Sequence, residues 1–341
     1  MSAVAPTREL HAELERALSE HLRTRRRVVS LERRPCPYRT SFSLEELDAV
    51  LDDGATFQVM FKDLSESGLT NGVREVKPSF LHDPLREIEA YRAILAPAGL
   101  GTPTYYGSAV DHERERYWLF LEYVPGDVLW QVGELGAWEE VARWLATMHA
   151  RFADATEWQS RSEHLLRYDA DFYRLWLERA QTFAREAEAA APRAEFRSGL
   201  EWLATRYEKV VERLTALPVT FVHGEFYASN VLLQDDHGTR RVCPIDWESA
   251  AIGPGLIDLA ALTAGTWGDD ERSALARAYH ETLTALGGSP RSPDDFIAAL
   301  DCCRLYLALK WLGWARGWSP PEEHRQDWLA EALRLAERLD L

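Results

Sequence analysis

The stretch FVHGEFYASNVLL, from Phe221 to Leu233, runs apolar, then polar, then apolar again. Its middle holds His223, Gly224, Glu225 and Asn230. These residue types suit neither a strand interior nor a helix interior. Pro218 precedes the apolar VTFV, and VLL follows Asn230, so HGEFYASN reads as a loop at the end of a short β element. Loops held on rigid scaffolds commonly carry chemistry. The question is why one such loop carries a carboxylate and an amide five residues apart.

Downstream, QDDHGTRR reads as a turn and RVCPIDW as a further strand, which places Asp246 where an apolar strand ends. Glu225, Asn230 and Asp246 are therefore expected to converge at one end of adjoining strands. A carboxylate and an amide oxygen are hard ligands suited to Mg²⁺. A second carboxylate, held apart from the metal, can orient a hydroxyl and accept its proton. Phosphoryl transfer needs metal ligands, a base and accurate positioning. It also needs a cation for the phosphates. Lys62 ends the apolar strand FQVMFK, and its tip is expected to lie in a cleft, so that Lys62→Ala spares the fold. A carboxylate on the segment PLREIEAYRAIL can hold that lysine, and helical phase leaves Glu87 and Glu89 both open.

The ordered set is specific. His223-Gly224-Glu225 with Asn230 is followed by Ile245-Asp246-Trp247, and then by Gly253-Pro254-Gly255 leading to Asp258-Leu259-Ala260. This resembles the aminoglycoside phosphotransferase and choline kinase group of the protein-kinase-like superfamily, over about Val28 to Leu262. The resemblance implies an α+β, two-lobe protein-kinase-like fold with a small antiparallel-sheet lobe and a larger, mainly helical lobe. It implies ATP or GTP and Mg²⁺ as cofactors and a small-molecule hydroxyl as acceptor. Glu225 takes the catalytic-base position, and Asn230 and Asp246 the metal positions. Lys62 contacts nucleotide phosphates. The family form, Glu with an aromatic four residues later (here Tyr91), selects Glu87 as its partner. Backbone groups of Glu122 and Val124 correspond to the inter-lobe linker that bonds the base of the nucleotide. His223 and Asp258 brace the loop and the metal-binding turn.

Two features depart from the family pattern. The usual base is Asp, and Glu225 is longer by about one bond, ~1.5 Å. No glycine-rich phosphate loop occurs; Arg39, Thr40 or Ser41 stand where phosphate contacts could arise. Glu225 is also the residue that separates a kinase of small molecules from two alternatives, a nucleotide-binding pseudokinase or scaffold and a kinase of peptide Ser or Thr.

Working outward, Leu10, Leu14, Leu18 and Leu22 recur every four residues and predict a helix over residues 7–26. VVSLE, SFSLEELDAV and TFQVMFKD predict a meander, with RRPCPYRTS as a loop. Asp83 and Pro84 predict the start of a helix through PLREIEAYRAIL. TPTYYGSAV and YWLFLEYV complete the sheet. From about Leu135 the period is helical, with FRSGLEWLATRYEKVVERL read as one helix. The expected division is an N-terminal helix at 1–27, a nucleotide-binding lobe at 28–124 and a catalytic lobe at 125–341. His149, Trp311, Trp314 and Trp318 read first as core residues of helices, with an acceptor-stacking role open to the tryptophans.

Composition fits this layout. The 341 residues suffice for two modest domains, and 46% hydrophobic residues with 13 Trp supply a core. A net charge of −16 makes nucleic acid a poor partner. No apolar run of about 18 residues predicts a membrane span. The N-terminus lacks signal-peptide form, and Cys36, Cys243, Cys302 and Cys303 have no metal-ligand spacing, which together point to a reduced cytoplasmic chain. Oligomeric state is not encoded legibly. Arg dominates the cations; the only lysines are Lys62, Lys77, Lys209 and Lys310, which makes each lysine more informative.

Overall fold

The structure is a computed structural model that describes residues 7–37, 41–69, 77–154, 163–190, 194–236, 238–265, 267–288, 292–314 and 325–341. Arg39, Thr40 and Trp318 lie outside the described residues. The chain divides into two compact units, one of Met1–Gly126 with Gln234–Glu248, the other of Asp127–Leu233 with Ser249–Leu341.

The first unit is built on an antiparallel sheet of β1 (Val28–Pro35), β2 (Leu44–Leu51), β3 (Thr56–Asp63), β4 (Tyr105–Asp111) and β5 (Arg116–Glu122), in the order β1-β2-β3-β5-β4. The helix Thr7–His21 lays its leucine stripe on one face. Leu10, Leu14 and Leu18 are fully buried with Leu47, Val59, Phe61, Trp118 and Phe120. Each such leucine contributes roughly 1.5–3 kcal/mol by leaving water. Leu22, the fourth residue of the stripe, lies past the helix end and is exposed. The helix comes so close to β4 that a Cβ on Gly107 would sit 2.6 Å from that of Ala17.

Two local expectations are corrected. β1 continues through Arg33 and Arg34 to Pro35 rather than breaking after VVSLE. Cross-strand charge explains this: Arg33 donates to both carboxylate oxygens of Glu45 at 2.7 and 2.8 Å, and Arg34 donates to Asp48 at 2.5 Å. As an edge strand, β1 also tolerates a terminal proline. The helix near Asp83 starts later, at Arg86, because Asp83 Oδ1 accepts the Leu85 N–H at 2.9 Å and closes a local turn instead of capping. This helix, Arg86–Glu89, passes into a π-helical turn, Ala90–Leu95.

In the second unit, FRSGLEWLATRYEKVVERL forms two helices, Ala194–Ala204 and Tyr207–Thr215, broken at Arg206, whose guanidinium stacks over Trp202 at 4.3 Å. The other long helices are Leu135–Arg151, Ala170–Ala190, Asp269–Ala285, Pro293–Leu312 and Trp328–Arg338. Short strands position the loop of interest. β6 (Asp127–Val128) and β7 (Leu166–Arg167) precede β8 (Val219–Val222) and β9 (Val231–Asp236). β6 pairs with β9 at Leu232 and Leu233. β9 runs on into residues 234–236 of the first unit, where β10 (Thr239–Pro244) neighbours it. β11 (Ala251–Pro254) pairs antiparallel with β8, register Ala251↔Val222 to Pro254↔Val219, and leads into the helix Leu256–Leu262. Both ends of the HGEFYASN loop are therefore anchored in strands. All four cysteines are buried thiols outside any disulfide. No helix among the described residues is long and apolar enough to cross a membrane.

Candidate functional site

The first unit gathers Lys62, Glu87 and Asp246. Lys62 stands near the end of β3, opposite Leu119 of β5 and Leu44 of β2, and is only 6% exposed. Its ammonium donates to Asp246 Oδ1 at 2.5 Å and lies 2.6 Å from Glu87 Oε2. The contact to Glu87 is a close, buried ion pair. Burial alone would discharge Lys62; the Asp246 and Glu87 carboxylates outweigh it and hold the lysine pKa above its usual value. Glu87 is pushed up to about 7, by burial first and then by the Asp246 and Glu248 charges, against the pull of Lys62. The expectation of a tip standing in an open cleft is thus corrected: the amine is buried between two carboxylates. The turn of the helix also decides between the two glutamates, since Glu89 faces outward and pairs with Arg92 at 2.5 Å. Tyr91 is fully buried.

Asp246 has a φ of +64°, a left-handed conformation that a non-glycine residue holds only at a cost. Neighbouring bonds fix it: the Trp247 N–H donates to Glu87 Oε1 at 3.3 Å, and the Trp247 indole donates to the Pro244 carbonyl at 3.2 Å. Arg241 ties β10 to the rest of the unit. It donates to both oxygens of Glu122 at 2.7 and 2.9 Å, and to the carbonyls of Gly101 and Thr102. Burial works against the Glu122 charge, but Arg241 and the Thr104 donors prevail and hold its pKa below the usual value. The Glu122 N–H donates to Thr104 O at 2.9 Å, while the Val124 N–H donates to no other described residue.

A second buried pair lies in the same unit; the sequence marked its lysine only by rarity and Ser41 only as a possible phosphate contact, and did not mark Glu248. Lys77 donates to Glu248 Oε2 at 2.5 Å, and Ser41 donates to Oε1 at 2.6 Å. Burial opposes the Glu248 charge, but Lys77 and Lys62 bring its pKa down to about 2. The ring of Phe42 has both ammonium groups, Lys62 and Lys77, 5.3 Å from its centroid.

The second unit holds Glu225 and Asn230. Gly224 has a φ of +83°, and a Cβ there would lie 2.2 Å from the Ser249 carbonyl oxygen, so only glycine fits. Asp258, fully buried, accepts the N–H of His223 at 2.7 Å and that of Gly224 at 2.9 Å. His149 lies 3.3 Å from the same carboxylate through Nε2 and 2.8 Å from the Tyr279 hydroxyl through Nδ1. The loop backbone is thereby bolted to two helices, and His149 has a bracing contact within the core. A 3₁₀ turn, Ala228–Asn230, then folds the amide back: Asn230 Nδ2 donates to the Glu225 carbonyl at 3.0 Å. With that nitrogen committed, Oδ1 is the end of Asn230 that can meet a cation. The Glu225 carboxylate accepts the Ser249 hydroxyl at 3.0 Å on Oε2 and the Lys310 ammonium at 3.2 Å on Oε1. Lys310 was not among the sequence candidates, although the rarity of lysine pointed toward it. Three of the four lysines, 62, 77 and 310, are ion-paired with side chains at most 8% exposed.

Taken separately, the Asp246 carboxylate in the first unit and the Asn230 amide oxygen in the second are each donors of a type that Mg²⁺ accepts, and no cluster of three or more His, Cys, Asp or Glu metal donors occurs among the described residues. Mg²⁺ typically uses one or two carboxylates and takes its other ligands from phosphate and water.

The mixed α+β architecture, a small antiparallel sheet with a helical remainder, is that of the protein-kinase-like phosphotransferases. The sequence model of the phosphotransferase enzyme family (APH) matches residues 48–296, and the chain belongs to that family. Among solved structures, a microcompartment-associated aminopropanol kinase is similar at a TM-score of 0.59 and 15% identity, covering 91% of this chain and 92% of that one. The GDP complex of an aminoglycoside 2′-phosphotransferase IIIa is similar at 0.53 and 14%, covering 96% and 97%. An ethanolamine kinase of Plasmodium vivax is similar at 0.54 and 12%, covering 92% and 82%. At these identities the likeness concerns fold. No curated protein matches the chain by sequence.

Proposed function

We propose that this chain transfers the γ-phosphoryl group of ATP or GTP to a hydroxyl of a small molecule such as an aminoglycoside, an amino sugar or a related metabolite. The observation that carries the reading is the buried Lys62, held between Glu87 and Asp246. Such a lysine is a fixed cation for phosphate oxygens. Val124, with an uncommitted N–H, and the Glu122 backbone receive the base of the nucleotide. Asp246 and Asn230 would hold Mg²⁺, which supplies charge neutralisation for the phosphates when bound. Glu225 accepts the hydroxyl proton as the new O–P bond forms, the bond from phosphorus to the bridging oxygen breaks, and nucleoside diphosphate leaves.

A second reading, a nucleotide-binding scaffold, is favoured by one feature: both oxygens of Glu225 are already engaged, by Ser249 and Lys310. The test is turnover. Purified chain, ATP or GTP and Mg²⁺ are offered a panel of aminoglycosides, amino sugars, choline-like amines and nucleosides. Diphosphate release is followed together with the mass of the acceptor. A phosphorylated acceptor supports the kinase reading. Mg²⁺-dependent nucleotide binding with no phosphorylated acceptor across the panel supports the scaffold.

A further inference from the structure

We propose that Lys310 is a positioning residue for Glu225, and that this clamp makes a glutamate serviceable where the related motif has aspartate. The inference rests on the kinase reading above. Lys310 projects from the last turns of the helix Pro293–Leu312, 85 residues downstream of Glu225. Its side chain is 5% exposed. A buried ammonium with no partner would be costly. Among the described residues its ammonium has two hydrogen-bond partners, and both lie on the HGEFYASN loop: Glu225 Oε1 at 3.2 Å and the Gly224 carbonyl at 3.3 Å. The ammonium also lies over the Trp314 ring, 5.6 Å from its centroid.

The physical need for the clamp follows from side-chain length. Glutamate has one more rotatable bond than aspartate, so an unrestrained carboxylate at position 225 samples more orientations and loses entropy when it is held. Lys310 on one oxygen and Ser249 on the other, at 3.0 Å, remove that freedom before substrate arrives. Each carboxylate oxygen has two acceptor sites, so a substrate hydroxyl can still be taken. A cation beside a base weakens its pull on a proton. In a loose phosphoryl-transfer transition state the base mainly orients the nucleophile, so the gain in orientation outweighs that loss. Two groups of the same loop also meet Glu225: the His223 ring accepts the Glu225 N–H at 3.3 Å, and the buried Tyr227 hydroxyl has its pKa raised, by burial first and then by the Glu225 charge.

The test is steady-state kinetics of Lys310→Met, Lys310→Arg, Glu225→Gln and the double variant Glu225→Gln/Lys310→Met, on an acceptor that wild type phosphorylates. Folding is checked by circular dichroism and melting. Lys310→Met is expected to lower kcat roughly tenfold or more, with KM for nucleotide within about twofold of wild type. Lys310→Arg is expected to recover most of that loss. The double variant is expected to be no slower than Glu225→Gln alone, because Lys310 acts only through Glu225. Unchanged kcat in Lys310→Met, a rise in nucleotide KM at constant kcat, or losses that multiply in the double variant would each overturn the proposal. Should Lys310→Met not fold, Lys310→Arg and the charge-balanced double variant decide it by the same criteria. A wild type that phosphorylates no acceptor removes the kinase reading itself, and the clamp with it.

Discussion

Lys62→Met keeps most of the side-chain volume and removes one buried charge, so it isolates what the ammonium does for the first unit. It leaves Asp246 and the 2% exposed side chain of Glu87 without their cation. A carboxylate stranded in this way costs about 3–5 kcal/mol if it stays charged. It can instead take a proton, at about 1.4 kcal/mol for each pH unit above its ordinary pKa. For an aspartate with an ordinary pKa near 3.9, that route costs about 4 kcal/mol at pH ~7 and about 1.5 kcal/mol at pH ~5. The stability deficit of the variant is therefore about 3–4 kcal/mol at neutral pH and less than half of that near pH ~5. The sign follows from proton binding: the folded variant holds more protons than its unfolded chain, so its stability falls as pH rises. The assay is urea unfolding of the ligand-free protein at both pH values, followed by tryptophan fluorescence, with Trp118 in the core of this unit as a reporter. A deficit below about 1 kcal/mol at pH ~7, or one that does not change with pH, refutes the reasoning.

Two more outcomes concern the same unit and the metal. Asp246→Asn removes the Mg²⁺-dependent part of nucleotide binding, and Asn230→Ala weakens it less, because a carboxylate contributes a full charge and an amide only a dipole; calorimetric titrations with and without Mg²⁺ decide it, and equal Mg²⁺ dependence in wild type and Asp246→Asn removes that residue from the metal. Arg241→Leu destabilises the first unit above the ordinary glutamate pKa, and its gap to wild type narrows as pH falls below about 4.5, since the depressed Glu122 pKa adds stability only while the carboxylate is ionised; melting curves across that range check it, and a gap independent of pH contradicts it.

What was legible in the sequence was local or periodic. The leucine stripe, the strands and the polar break at His223–Asn230 are patterns over a few residues, and they match the helix Thr7–His21, β3, β5, β8 and β9. The bracing position of Asp258 followed from motif order, and its carboxylate does accept two loop N–H groups. What was not legible depends on distant pairing. Lys77 with Glu248 and Lys310 with Glu225 are separated by 171 and 85 residues, and neither pairing leaves a periodic trace. Arg33 and Arg34 read as loop because their strand character comes from Glu45 and Asp48 across the ladder, not from their own propensity. Helical phase alone left Glu87 and Glu89 both open, because the helix begins at Arg86, three residues later than its apparent cap at Asp83; the family form chose Glu87, and Glu87 is the one that pairs with Lys62.

The loop's spacing has a physical explanation in these terms. A turn of 3₁₀ helix brings Asn230 back to donate to the Glu225 carbonyl; on the function proposed above, its amide oxygen would then serve the cation and the Glu225 side chain the acceptor. The most direct test of this division of labour is Glu225→Gln, with phosphate transfer to a confirmed acceptor and ATP binding measured on the same preparation. Transfer is expected to fall by ~10²-fold or more with ATP affinity almost unchanged, and Glu225→Asp to lose less than Gln. Transfer at the wild-type rate in Glu225→Gln contradicts the assignment of Glu225 as the base.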